Sequence, residues 1–145
     1  GLRSFVVQIS FHEAATYPDA SFLIVKDVLK ALQQLAAFHR SQFHIPIIGI
    51  TGSNGKTIVK EWLYQLLNAD QQMVRSPRSY NSQIGVPLSV WQLQSMHRLA
   101  IFEAGISEPG EMDTLQQIIQ PTIGIWTNLG AAHNEGFFSE REKAL

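Results

Sequence analysis

The chain has 145 residues, 45% of them hydrophobic, with eleven Lys and Arg against twelve Asp and Glu for a formal charge of -1. That length supports one sizeable core, and the charge balance leaves no basic field for a nucleic-acid backbone, so an anionic ligand must be caught locally. The absence of cysteine excludes disulfides, thiolate metal sites and a cysteine nucleophile and fits a reducing compartment, and no apolar run approaches the roughly 18 residues of a membrane span.

The chain opens at Gly1 without a methionine and inside a strand-like run, so it reads as a piece of a longer protein. Phe5 to Ile9 and Ser21 to Val25 are β-branched and aromatic runs on either side of the turn cluster TYPDA, and both predict strands. From Asp27, an N-cap residue type, Val28, Leu32, Leu35, Ala36 and His39 recur at helical spacing until RSQFHIP. This helix reads as a bridge between domains. Beyond it the pattern is strand (Pro46 to Thr51), helix (Lys56 to Asn68), strand (Met73 to Arg75) and a helix with Pro87 in its first turn. A strand (Leu99 to Glu103), a helix (Gly110 to Ile119) and a strand (Thr122 to Asn128) follow. Such alternation predicts an α/β domain, a mostly parallel sheet flanked by helices. There is no internal repeat and no low-complexity segment.

Three loops leave strand ends that such a sheet would bring to one edge. The first is GITGSNGKT, Gly49 to Thr57, with an apolar stripe of Val59, Trp62, Leu63, Leu66 and Leu67 after it. A loop passing from a buried strand into a helix presents backbone N–H groups and the positive end of the helix dipole, which bind phosphate. Gly52 and Gly55 allow close backbone approach; Lys56 would reach the β- and γ-phosphates and Thr57 would ligate magnesium. The strict nucleotide-loop pattern asks for glycine where this chain has Ile50, and an ordinary strand-to-helix turn is the competing reading. In the second loop Glu103 ends an apolar strand, where a carboxylate is costly in a core but well placed at a rim, so it could share magnesium with Thr57. A solvated strand-end glutamate is the alternative. Glu108 and Glu111, beside Pro109, suit the first turn of a helix and carry no chemistry. The third loop, TNLGAAHNEGF, places His133 on the same edge. His12, His39, His44 and His97 lack such neighbours and read as structural or solvated. Ser139 and Glu142 form a capping box for a helix near Glu140.

Together, GITGSNGKT, the Glu103 strand end, NSQIGVPLS and TNLGAAHNEGF resemble, in order and spacing, the central domain of Mur ligases, ATP-dependent amide-forming enzymes of peptidoglycan synthesis. Their loop is of the shorter Thr-Gly-x-x-Gly-Lys-Thr kind, which accounts for Ile50. Within the family, AHNEGF and NSQIGVPLS look most like members that add D-alanyl-D-alanine to UDP-N-acetylmuramoyl-tripeptide, and VRSPRSYNSQIGVPLSVW resembles versions fused to an alanine racemase domain.

The resemblance implies residues 1–26 as the tail of a small α/β UDP-substrate domain, 27–45 as a linker helix and 46–145 as the first part of a P-loop ATP-binding domain. It also implies that Thr51, Gly52, Ser53, Asn54, Gly55, Lys56 and Thr57 hold ATP, with Asn81 and Ser82 near nucleotide or acceptor. Thr57 and Glu103 would ligate one magnesium ion and His133 a second, making Lys56, Glu103 and His133 the catalytic set. The family's carbamylated lysine falls just past Leu145, and Lys143 reads as a surface residue. A cytoplasmic, monomeric enzyme is implied, with no nucleic-acid partner and no membrane insertion. A different Mur-type ligase such as folylpolyglutamate synthase, a P-loop small-molecule kinase and a nucleotide switch module remain the alternatives.

Overall fold

The first two strands of the computed structural model, which describes residues 1–130, are β1 (Ser4–Gln8) and β2 (Ser21–Val25), paired in parallel with Ser4 opposite Ser21. A 3-10 turn at Ala14–Thr16 lies between them, and the rings of Phe5, Phe11 and Tyr17 gather on Phe22. Helix α1 (Val28–Ser41) begins where Asp27 caps it, its carboxylate accepting the Lys30 N–H at 3.0 Å.

After α1 come β3 (Ile47–Thr51), α2 (Lys56–Leu67), β4 (Met73–Arg75), α3 (Gly85–Val90), β5 (Leu99–Glu103), α4 (Glu111–Ile119) and β6 (Ile123–Trp126). The four later strands form one parallel sheet in the order β4-β5-β3-β6, with Ile50 opposite both Glu103 and Ile125. Strand alternation sends successive residues to opposite faces. Ile47, Val74, Ala100 and Phe102 therefore pack with Ala36 of α1, Val86 and Val90 of α3 and Leu115, Ile118 and Ile119 of α4. Ile48, Ile50, Met73, Leu99 and Ile101 pack on the other face under Val59, Leu63, Tyr64 and Leu67 of α2. The expected α/β class is present, with the four strands and the three helices between them in the expected order. The Gly49 to Thr57 loop, the segment after Glu103 and the segment that begins at Thr127 therefore leave the same edge of the sheet.

Two helices bury only part of the apolar stripe expected of them. In α1, Val28 and Leu35 stay exposed while Ala36 and Arg40 are buried. Arg40 decides this: its guanidinium donates to Ile119 O at 2.8 Å, Gln120 O at 2.9 Å and Phe43 O at 2.6 Å, closing the C-terminal end of α4. In α2, Trp62 and Leu66 are 64% and 73% exposed, whereas Lys60 is completely buried. The sheet lies beneath the Val59–Leu63–Leu67 row and its flank, so the outer half of the expected stripe stays exposed. The readings at His133, Ser139, Glu142 and Lys143 fall outside the described residues.

Candidate functional site

The Gly49 to Thr57 loop runs from β3 directly into α2, and its shape depends on glycine at two points. Gly52 has φ 133° and Gly55 φ 82°, and a Cβ on Gly52 would lie 2.2 Å from Thr127 Oγ1 and 2.9 Å from Asn128 O. Only glycine lets the loop lie this close to the segment after β6. That segment clasps the loop. Asn128 O accepts the Ser53 N–H at 2.9 Å, and Asn128 Oδ1 accepts the Asn54 N–H at 2.8 Å. Thr127 Oγ1 donates to Asn54 O at 2.5 Å, and Ser53 Oγ bonds Gly130 through both its carbonyl and its N–H. Lys56 Nζ donates to Gly52 O at 2.6 Å, folding the lysine back over the loop. The amides that open α2 complete the concavity, where the helix dipole favours an anion.

Beside the loop stands Glu103. It was expected at a solvated or partly solvated rim, yet none of it is exposed. Thr57 Oγ1 donates to its Oε2 at 3.1 Å, Asn81 Nδ2 approaches Oε2 at 3.4 Å, and Ser76 Oγ accepts the Glu103 N–H at 3.1 Å. Asn81 is fixed by its backbone carbonyl, which accepts the Gly105 N–H at 2.8 Å. Ser82 is turned elsewhere, its hydroxyl accepting the Gly85 N–H at 3.2 Å at the start of α3.

The burial of Glu103 is compensated by Lys60, one turn beyond Thr57 on α2. Lys60 Nζ lies 2.9 Å from Glu103 Oε1 and 3.2 Å from Glu61 Oε1. It also donates to Ser76 O at 2.9 Å and closely to Arg78 O. Two of its three protons go to those carbonyls, and Oε1 accepts no hydrogen bond among the described residues, so its contact with Lys60 is ionic. Arg78 sits at φ 49°, a left-handed conformation costing about 1–2 kcal/mol for a non-glycine residue. Glu61 is held in turn by Arg75, whose Nε contacts both carboxylate oxygens at 3.1 and 3.0 Å while its guanidinium lies 3.6 Å over the Tyr64 ring. The Arg75 hydrogen bond holds the Glu61 carboxyl below its ordinary range.

Lys60, Ser76, Thr127 and Asn128 were not among the expected site residues. Lys60 carries a weak signal, being a lysine flanked by inward Val59 and Leu63, while the others are reached only through tertiary contact. His39 and His97 are structural, as expected. His39 packs between Trp91 and Phe43, and His97 Nδ1 accepts the Gln94 N–H at 3.0 Å. Glu111 does belong to the start of α4, its carboxylate accepting the N–H groups of Ser107 and Glu108.

A parallel sheet whose strand ends carry a glycine loop opening into a helix, with a buried carboxylate facing that helix's first threonine, defines a mononucleotide-type α/β domain. The model of the Mur ligase middle domain matches residues 50–144, and the chain belongs to that family. It is 44% identical over 115 residues to the UDP-N-acetylmuramoyl-tripeptide–D-alanyl-D-alanine ligase of Treponema pallidum, covering 79% of this chain and 25% of the relative. To the Borreliella burgdorferi ligase of the same name it is 43% identical over 116 residues, covering 80% and 25%. The chain thus spans about a quarter of the length of these relatives. Among solved structures, MurF from Acinetobacter baumannii superimposes with a TM-score of 0.85 at 26% identity, covering 97% of this chain and 36% of that one. MurF ligase from Thermotoga maritima in complex with ADP gives a TM-score of 0.82 at 25% identity, covering 97% and 38%.

Proposed function

We propose that this chain is the N-terminal-to-central part of an ATP-dependent ligase that adds D-alanyl-D-alanine to UDP-N-acetylmuramoyl-tripeptide. The observation that carries the reading is the pairing of Thr57 Oγ1 with Glu103 Oε2 at 3.1 Å beside a loop holding Lys56. The identity to ligases of that name supports the substrate assignment. Residues 1–26 are read as the tail of the UDP-substrate domain, 27–45 as the linker and 46–145 as the beginning of the ATP domain.

A carboxylate is a poor electrophile, so the γ-phosphoryl group of ATP passes to it first, giving an acyl phosphate and ADP. The amine of the dipeptide then attacks the carbonyl carbon, the C–O bond to phosphate breaks, and the amine loses its proton. Both early reactants are anions, which sets the task for the protein. The loop amides and α2 would bind and orient the phosphates, and Lys56 would leave Gly52 O to meet the transferring group. Asn81, braced on Gly105, would keep the Glu103 carboxylate in place.

The donor set fits magnesium: two hard oxygens, one anionic, at the mouth of a phosphate loop, with the remaining ligands left to phosphate and water as this cation prefers. Thr57 and Glu103 would hold it, and when bound it would neutralise charge on the transferring group. His133 is assigned a second magnesium by the family resemblance. Among the described residues no helix is long and apolar enough to cross a membrane, and we assign the enzyme to the cytoplasm, where nucleotide-linked precursors and ATP are made.

The test is ADP release by the full-length protein supplied with UDP-N-acetylmuramoyl-tripeptide, D-alanyl-D-alanine, ATP and magnesium. Lys56→Ala is expected to lower turnover by at least about a hundredfold, the scale of losing one electrostatic contact to the transition state. Near-normal turnover in that variant would remove the loop assignment, and activity with other amine donors alone would remove the substrate assignment.

A further inference from the structure

The Lys60–Glu103 pair has no place in the reading above, which needs only the two oxygens on the Thr57 side of the carboxylate. Both side chains are fully buried, and the groups packed around them are accounted for. From α2 come Lys60 and Glu61, from β4 Arg75 and from β5 Glu103, two cations and two anions in one chain of contacts. Lys56, also on α2, points back to Gly52. The set is already neutral before any ligand arrives. Helix α2 grips both carboxylate oxygens of Glu103 from residues one turn apart, Thr57 on Oε2 and Lys60 on Oε1.

Neutrality has a consequence for a divalent cation. An ion binding Oε2 alone enters a site whose anion is already matched by an ammonium 2.9 Å from the other oxygen, and the two cations repel each other in a poorly solvated setting. Only an ion that arrives with polyphosphate brings the extra negative charge that offsets this repulsion. We infer that Lys60 is the resident counter-cation of Glu103, a positioning residue that holds the buried carboxylate in place without metal and makes magnesium uptake depend on nucleotide. The inference rests on the magnesium role proposed for Thr57 and Glu103. A purely structural pair would fasten α2 to β5 without affecting which cations Glu103 accepts.

The experiment measures magnesium binding, by calorimetry and by the shift in thermal unfolding, in full-length wild type, Lys60→Met, Lys60→Gln and Lys60→Met/Glu103→Gln. Wild type is expected to respond weakly to magnesium chloride alone and strongly when a non-hydrolysable ATP analogue is present. In Lys60→Met and Lys60→Gln the affinity for magnesium alone should rise by about tenfold or more, the scale of removing a like charge a few ångströms away. The double variant should lose that gain. A variant that folds only with magnesium present gives the same support, since the ion then replaces the ammonium. Unchanged or weaker magnesium affinity in both single variants overturns the inference, as does a gain that survives Glu103→Gln, or failure of both single variants to fold at saturating magnesium. If analogue binding by the wild type is independent of magnesium, the metal reading of Thr57 and Glu103 falls first and takes this inference with it.

Discussion

Gly52, Gly55 and Gly130 lie in or beside the loop proposed to hold phosphate, and adding one methyl group to each should give sharply different results. At Gly52 an alanine Cβ would sit 2.2 Å from Thr127 Oγ1 and 2.9 and 3.0 Å from the Asn128 backbone O and N, at φ 133°. Backbone strain of about 1–3 kcal/mol adds to overpacking of about 1–3 kcal/mol, so Gly52→Ala should cost roughly 2–6 kcal/mol. Thr127→Ala would relieve only the side-chain part, because the Asn128 backbone cannot withdraw without releasing the Ser53 N–H. At Gly55, with φ 82° and its nearest neighbour 3.9 Å away, strain acts alone, at about 1–2 kcal/mol. At Gly130 a Cβ would make ordinary contacts at 3.8 and 3.9 Å, and little change is expected. Thermal unfolding of the full-length protein and calorimetric titration with a non-hydrolysable ATP analogue should both rank Gly52→Ala worst, Gly55→Ala next and Gly130→Ala near wild type. A Gly52→Ala variant with wild-type stability and nucleotide affinity would refute the clasp between this loop and Thr127–Asn128. Equal damage at Gly130 would refute it as well.

Glu103→Gln should raise the magnesium concentration for half-maximal activity by on the order of tenfold or more and, by stranding buried Lys60, lower stability by about 3–5 kcal/mol. Reduced turnover with unchanged magnesium dependence would contradict the metal role. Burial holds the His97 imidazole below its ordinary 6.5, so the unfolded chain takes up the proton first. Its contribution to stability is present above about pH 6.5 and is lost as pH falls through the folded value. Unfolding temperature measured from pH 8 to pH 5 should therefore fall less steeply in His97→Asn than in wild type, and parallel profiles would exclude this histidine as the source.

Whether a residue's role was legible in the sequence depended on how local its physics is. Asp27 declares the start of α1 because its acceptor lies three residues from the amide it caps. The strands at Ile47–Thr51 and Leu99–Glu103 announce themselves as short apolar runs with both faces buried. Likewise Gly52, Gly55, Lys56 and Thr57 are recognisable because one loop holds the parts that would cradle a phosphate. Periodicity marks an apolar helix but does not say where the sheet lies beneath it, so Trp62 and Leu66 read as core until β3 and β5 take their places under Val59 and Leu63. Asn128, 74 positions from the Asn54 amide it holds, leaves no pattern near either residue. Lys60 is the most instructive case. A lysine on a helix is ordinarily a solvent-facing residue, and only the arrival of Glu103 from β5 gives its charge a reason to be inside. The recognisable motif ends at Thr57, yet α2 continues to shape the site one turn further on. The residues that would touch phosphate are therefore readable from the chain, while the cation paired with their buried neighbour is visible only once the sheet is assembled.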